Sequence, residues 1–356
     1  MSVMLPQVDT HYREATALFQ RRGRLLNAPA SPLDALRQLD WRLAANLDAV
    51  AIHHEGHPEA SLRPPALFVE TWVGLQRDSV HCLENLDEIF PELKPEQQGA
   101  VIEAMTLSSS SGEAQHPELR AALMSEQAAM AMDEYQAAEH DALLASWLFF
   151  QDATGADLSC FQPWYQRHDF PRSRHHSLQA GLVRRDALAV QSAHDYQDDA
   201  HFALLLALSG HPPESLLGTA FDGSVSAAGQ LLDAMEQVAC CEDAAQAWFW
   251  LTGETVPRKP RLQAVGASDE SSRESKETLP DASAAAISWQ AKQWQSGARY
   301  FFGEPVTASS LELLGQQWTG QIAPLIAAQQ SWLAERRVLP GAGWQFHSLR
   351  EGGGDA

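Results

Sequence analysis

The chain is poor in cysteine, and its cysteines lack the spacing of a disulfide framework or a structural zinc site. Cys82, Cys160, Cys240 and Cys241 include no C-x-x-C pair, the spacing that zinc ribbons and redox motifs use. The sequence opens with no apolar stretch of signal-peptide length, and no apolar run approaches the ~20 residues of a membrane span. We therefore expect a cytoplasmic protein with reduced thiols and no membrane-spanning segment.

Positive charge is also scarce. The 356 residues include 25 Lys and Arg against 46 Asp and Glu, which gives a formal net charge of −21. Such a surface repels nucleic acid, because phosphate binding needs clustered bases, and it attracts a basic protein. Acids dominate 61–160, and 201–256 contains no lysine or arginine. These acids are either solvated helix faces or a surface matched to a cationic partner, and the sequence leaves both interpretations open.

The motifs of common enzyme classes are missing from the sequence. It contains no GxSxG, no Walker A loop and no GxGxxG after a strand. The usual signatures of hydrolases and nucleotide-binding enzymes are therefore absent from the sequence. The run His-His-Glu-Gly-His at 53–57 differs from HExxH, because its second histidine comes too soon for two ligands one helical turn apart. Ser224 or Ser226 is typical of a helix N-cap rather than a nucleophile. The sequence predicts no catalytic residue and no cofactor.

One polar group remains a weak candidate for a metal site. On a continuous helix, His194, Asp198 and His201 would share a face. Histidines and carboxylates can bind a divalent metal and activate water. Such a hydrolase site needs further ligands from other helices, and a polar turn or helix cap accounts for the same residues. A metal-dependent hydrolase is therefore the most distant of the functions that we consider.

Helical periodicity dominates the chain. No stretch alternates apolar and polar residues with the period of a strand. Turn residues such as those at 210–213 separate helices of roughly 10–18 residues, and helix pairs recur at close to the ~40 residues of HEAT-like repeats. Apolar side chains step by three and four residues in several segments, most regularly at Leu33, Leu36, Leu39, Leu43, Leu47 and Val50. We predict an all-α fold, a HEAT-like helical-repeat solenoid with a smaller helical C-terminal module.

The composition changes in the last third of the chain. Residues 257–281 are rich in Ser, Glu, Lys and Arg and lack aromatics, which is typical of a flexible linker. Beyond them, five tryptophans indicate a packed module that docks back on the solenoid. The predicted divisions are a solenoid over 1–255, a charged flexible linker over 256–285, a Trp-rich module over 286–350 and a disordered tail over 351–356.

Three segments of the chain carry a family resemblance. They are 11–48, with His-Tyr-Arg-Glu-Ala at its start and Asp-Trp-Arg-Leu at 40–43, then Ala-Trp-Phe-Trp-Leu-Thr-Gly at 247–253, and Gly-Ala-Arg-Tyr-Phe-Phe-Gly-Glu-Pro-Val-Thr at 297–307. Together they resemble a bacterial family of HEAT-like conserved hypothetical proteins found beside type VI secretion genes. The middle, about 90–240, departs from the family's regular Leu/Ala-rich repeats, and we expect a partner-specific surface there. The family carries no established catalytic residues, so the resemblance implies none.

The resemblance implies a role around secreted toxins and their delivery spike. We predict a non-enzymatic immunity protein that binds and neutralises a cognate antibacterial toxin of the basic, nuclease type, because an acidic protein can occupy a basic cleft. The alternative is an adaptor or chaperone that holds an effector for loading, with spike or adaptor proteins as further partners. The predicted contacts are Glu103, Glu126, Asp133, Glu134, Glu139, Trp164, Arg167 and Arg172. For the last three, ordinary packing of a loop between helices is favoured over a binding site.

Overall fold

Helices make up most of the protein, as predicted. The computed structural model describes residues 6–60, 62–108, 114–260, 278–292 and 294–338. The first helices are α1 (Pro6–Asn27), α2 (Leu33–His53), α3 (Pro64–Arg77), α4 (Ser79–Ile89), α5 (Pro95–Ser108), α6 (Pro117–Leu123), α7 (Glu126–Ala131), α8 (Glu134–Ala137) and α9 (Asp141–Thr154). They continue with α10 (Pro171–Val183), α11 (Ala187–Ser192), α12 (Ala200–Leu208), α13 (Leu216–Asp222), α14 (Val225–Met235), α15 (Cys241–Thr252), α16 (Ala282–Ala291), α17 (Ala308–Gln317) and α18 (Ile322–Ala334).

The strands of these residues are only two or three residues long, which agrees with the predicted all-α class. They are β1 (Ser31–Pro32), β2 (Arg258–Pro260), β3 (Thr278–Pro280), β4 (Tyr300–Phe301), β5 (Glu304–Pro305) and β6 (Trp318–Thr319). They form three antiparallel pairs, β1 with β6, β2 with β3 and β4 with β5. Each pair joins two chain segments by backbone hydrogen bonds and does not extend into a larger sheet.

The chain divides into two compact units. The first comprises Met1–Ala180, Leu314–Ala327 and Arg336–Ala356, and the second comprises Gly181–Leu313 and Ala328–Glu335. This division does not coincide with the predicted solenoid over 1–255 and Trp-rich module over 286–350. Residues from the predicted module contribute to both units.

The predicted linker over 256–285 is ordered at both ends. Lys259 of β2 pairs with Leu279 of β3, and the carboxylate of Asp281 accepts the backbone N–H of Ser283, 3.1 Å away, at the start of α16. A flexible linker is therefore wrong for these ends. Its centre, 261–277, lies outside the described residues, and so do Trp344 and the predicted tail over 351–356.

In the first unit, α3 is the central helix. It packs against α1, α2, α4 and α5, and its Phe68 and Trp72 are fully buried. The ring of Phe19 on α1 stacks on that of Phe68 with centroids 3.9 Å apart. The predicted leucine stripe of α2 is buried from Leu33 to Val50. That prediction is confirmed, because helical spacing places these side chains on the face that meets α1 and α3.

In the second unit, α15 packs against α13 and α14. Its Trp248 lies against Trp289 of α16 at a centroid distance of 5.6 Å, and Trp289 stacks on Trp294 at 3.8 Å. Two tryptophans from the predicted C-terminal module thus form one aromatic cluster with α15. Helix α14 buries Leu231 and Met235, and Val238 beyond its end is exposed.

We expect two of the four thiols to resist modification in the folded protein. Burial, reinforced by Glu59 and Asp78, raises the pKa of the Cys82 thiol to about 12. Cys241 is also buried, whereas Cys160 and Cys240 are partly exposed. In a titration with dithionitrobenzoate near pH 8, Cys160 and Cys240 should react first, and the two buried thiols only after unfolding in urea. Equal rates for all four thiols would contradict this assignment.

Candidate functional site

The weak metal candidate fails on local geometry. His194 lies in a 3₁₀ turn, Ala193–Tyr196, and a new helix, α12, starts at Ala200 behind the Asp199 cap. The carboxylate of Asp199 accepts the backbone N–H of His201, 2.9 Å away. The continuous helix on which His194, Asp198 and His201 would share a face is therefore wrong. The structure instead has a polar turn and a helix cap at these residues, which was the alternative explanation.

A cleft of about 620 Å³ does lie beside this turn in the second unit. His194 and Asp198 line it together with His211 and Glu214, while His201 does not. Among the described residues, no group of three or more His, Cys, Asp or Glu side chains is placed to hold a metal ion. The structure thus brings together two of the three predicted ligands without forming a metal site from them.

The histidine run at 53–57 is held by a buried carboxylate of α3. Glu70 is 4% exposed and accepts hydrogen bonds from His54 Nε2 at 2.7 Å and from the backbone N–H of His57 at 2.8 Å. Gly56 between them has a φ of +79°, and a Cβ there would lie 2.7 Å from the Glu70 carbonyl oxygen. Only glycine fits this left-handed, close approach. His53 ends α2, and the rest of the run is a loop that Glu70 holds against α3.

We expect Glu70 to stabilise the fold in a pH-dependent way. Burial raises its pKa, but the hydrogen bonds from His54, His57 and Tyr12 outweigh burial and leave the pKa below the ordinary 4.5. A lowered folded-state pKa means stability that is present above 4.5 and lost as the pH falls through the folded value. Glu70→Gln should cost about 1–3 kcal/mol at neutral pH and less at pH 3. Urea unfolding across this pH range measures it.

The matched control for this prediction is Glu55→Gln. Glu55 lies in the same loop with its side chain 76% exposed, so its removal should change stability by less than about 0.5 kcal/mol at any pH. If Glu70→Gln and the wild type lose stability in parallel as the pH falls, the Glu70 clamp is not the source of the pH dependence.

Four of the predicted partner contacts take part in contacts within the protein. Glu103 forms an ion pair with Arg22, and burial, only partly offset by Arg22, raises its pKa. Trp164 is buried. Arg167 bonds both carboxylate oxygens of Asp169, at 2.9 and 2.7 Å, and Arg172 pairs with Glu118. Ordinary packing within the protein is therefore the better explanation of Trp164 and Arg167.

The other predicted contacts lie together on one exposed stretch. Asp133, Glu134 and Glu139 are exposed. Glu126 begins α7, and its side chain lies outside the described residues. Asp133 also has a structural role, because its carboxylate accepts the backbone N–H of Gln136 at 2.7 Å and completes a capping box at the start of α8.

This stretch is a series of short helices that polar caps interrupt. The Ser125 hydroxyl accepts the backbone N–H of Ala128 at 3.2 Å and starts α7, Asp133 starts α8, and His140 starts α9. A side chain that bonds the backbone in this way ends one helix and opens the next. All three short helices α6, α7 and α8 pack on α9.

The short helices leave an open groove in the first unit, which we call the methionine groove. Its volume is about 600 Å³, and the residues that line it include Arg120, Leu123, Met124, Ala128, Met132 and Leu143. Leu143 of α9 is 1% exposed and forms the base. The indole N–H of Trp147, also on α9, donates to the backbone oxygen of Met132 at 3.1 Å and holds one wall in place.

The surface continues beyond the groove with apolar side chains. Met130 is 56% exposed and Tyr135 is 84% exposed. Three of the seven methionines of the chain fall within 124–132. Methionine adapts its shape to a partner and is common at binding surfaces. Sequence interpretation missed these residues, although their clustering was visible.

The charge of this region is strongly negative. Between 114 and 143, six acids accompany a single base, Arg120. The one charged residue that lines the groove is Arg120. The exposed acids Asp133, Glu134 and Glu139 follow the lining residue Met132 along the chain, and we call them the acidic edge. Aliphatic lining residues next to this acidic segment fit a basic, amphipathic protein surface.

Comparisons with known proteins add no relative to these observations. No family model, no curated protein and no solved structure matches the chain. Within the described ranges, no helix combines the length and the hydrophobicity needed to cross a lipid bilayer.

Proposed function

We propose that this chain is a cytoplasmic, non-enzymatic protein-binding protein that neutralises a cognate antibacterial toxin of a type VI secretion system. The observation that carries the binding role is the methionine groove with its acidic edge. Exposed apolar side chains next to a preformed groove are typical of a surface that another protein covers. The secretion context rests on the resemblance of the three sequence segments.

The charge supports a basic partner. A net charge of −21 steers a cationic protein toward the surface and repels nucleic acid. A nuclease toxin presents a basic cleft for its substrate, and an acidic protein that fills the cleft blocks the enzyme. Carboxylates held by helix caps, such as Asp133, offer fixed negative charge at low entropic cost.

The adaptor function needs the same surface. An adaptor or chaperone that loads an effector onto the secretion spike would also hold a basic client against an acidic, apolar face. The HEAT-like solenoid stays a prediction and would provide either function with an extended face. A metal-dependent hydrolase has the least support, because the helix that would align His194, Asp198 and His201 is interrupted.

Coexpression separates these functions. Cells that make the toxin encoded beside this chain should die, and cells that make both proteins should grow. If the chain gives no protection, the immunity function is rejected. Deletion of the gene then tests the adaptor function, which requires loss of effector secretion while the producing cell stays unharmed.

A further inference from the structure

We propose that the methionine groove binds one face of an amphipathic α-helix of its partner, with aliphatic side chains in the groove and Lys or Arg along its flank. This inference rests on the proposed protein-binding function and specifies the element of the partner that is recognised. It would hold for a toxin or for an effector client alike.

The shape and lining of the groove favour a helix as the occupant. Its walls come from α6, α7 and the Met132 turn, with α9 beneath. Strand addition needs an exposed sheet edge, and between 114 and 154 the described secondary structure is entirely helical. A helix inserts apolar residues spaced three and four apart without needing backbone partners from the groove.

The lining also selects an aliphatic face. Leu123, Met124, Met132 and Leu143 are flexible or branched aliphatic side chains, and Ala128 leaves the space between them open. Thioether side chains repack around leucine or isoleucine anchors of differing shape. Burying each such anchor contributes about 1.5–3 kcal/mol before the cost of association.

The edge selects basic flanking residues. Glu134 and Glu139 are exposed on and just after α8, and Glu118 on α6 is held by Arg172. The single base of the groove region is Arg120. A partner helix with acidic flanks would be repelled here, and one with lysine or arginine would be oriented by this edge.

Methionine-methyl NMR on the full chain tests the proposal directly. The probe is a peptide of Leu and Lys at helical spacing, about 14 residues long, compared with a scrambled peptide of identical composition. The helical peptide should shift the methyl signals of Met124, Met130 and Met132 and leave those of the buried Met105 and Met235 in place. Conservative Met→Leu variants assign the signals. If those three signals do not move, or the scrambled peptide binds equally tightly, the proposal is overturned.

Groove variants sharpen this test. Ala128 is exposed, so Ala128→Trp fills the groove without disturbing the core and should weaken the helical peptide at least about tenfold in fluorescence anisotropy. Met130→Ser should also weaken binding, whereas Val238→Ser in the second unit, at the same 56% exposure, should not. If Val238→Ser weakens binding as much, the groove is not the site.

Charge variants separate the edge from the overall net charge. Glu134→Lys with Glu139→Lys should weaken the Lys-containing peptide more than Asp233→Lys with Glu236→Lys, which changes the net charge equally at exposed sites on and next to α14. Equal losses would show attraction by net charge alone and overturn the proposal. So would a concentration-dependent dimer that Ala128→Trp dissolves, since the occupant would then be a second copy. If the coexpressed chain protects cells and Ala128→Trp protects them equally, this inference fails while the proposed function stands.

Discussion

Replacing Arg22 with alanine should destabilise the protein by about 3–5 kcal/mol, because the substitution breaks a buried ion pair by removing its cation. Arg22 Nε lies 2.9 Å from Asp40 Oδ1, and the Asp40 side chain is fully buried. The same guanidinium pairs with Glu103, so one residue of α1 joins α2 and α5. Urea unfolding followed by far-UV circular dichroism measures the loss.

The loss should depend on pH in a defined direction. Burial raises the pKa of Glu103 and Arg22 lowers it, so without Arg22 this folded-state pKa rises further, and a raised pKa means stability that is lost as the pH rises. The variant should therefore be closest to the wild type in acid. Arg22→Met with Asp40→Leu should recover part of the stability, because the apolar pair removes the charges of Arg22 and Asp40, although Glu103 still loses its pairing with Arg22.

The control for Arg22 is a surface pair. Arg13 bonds Asp9 one turn away on α1, and the Arg13 side chain is 78% exposed. Arg13→Ala should cost less than about 0.5 kcal/mol, because an exposed pair of this kind contributes little in water. If both variants lose the same amount, the Arg22 pair is not a buried anchor of the first unit.

Trp72→Ala should lower the free energy of unfolding by a similar amount, about 3–5 kcal/mol, because it leaves a cavity at the centre of the first unit. Trp72 is fully buried on α3, the helix that contacts α1, α2, α4 and α5. Large-to-small changes at such a site lose the burial of the ring and leave a cavity that the surrounding helices cannot fill. The measurement is again the urea midpoint and its slope.

Two further variants identify the cause of that loss. Within the described part of the chain, the Trp72 indole N–H has no hydrogen-bond partner, so Trp72→Phe removes an unpaired donor along with part of the ring. It should cost less than about 2 kcal/mol. Trp41→Ala, at a site that is 61% exposed, should change stability by less than about 0.5 kcal/mol. A Trp72→Phe loss as large as that of alanine would mean that ring volume is not what matters.

Local features of the fold could be predicted from the sequence. The stripe of α2 is buried as its spacing indicates, because each side chain's direction follows from its position in the helix. Ser224 caps α14 by accepting the backbone N–H of Ala227 at 3.2 Å, as its position before a helical stretch predicts. Both depend on residues within a few positions of one another.

The candidate site could be predicted less well, because it depends on contacts between distant segments. The sequence predicts Glu103 as a partner contact, yet it pairs with Arg22, which lies 81 residues earlier, and no local sequence pattern indicates such a pair. Asp199 reads as one polar residue among several, but its bond to the backbone starts a new helix and separates His194 from His201. The methionines at 124–132 were visible, but three capping side chains decide that they border an open groove.

The strand pair of β1 and β6 joins a segment near the start of the chain to one that is translated much later. Ser31 pairs with Thr319, and the backbone N–H of Ile322 bonds the Pro29 oxygen at 3.0 Å. The ribosome adds roughly 5–20 residues per second, so β6 is translated many seconds after α1 and α2. During that interval the backbone groups of Pro29 and Ser31 that form these bonds have not yet met their partners. A messenger truncated before 319 would yield a chain that lacks this strand pair.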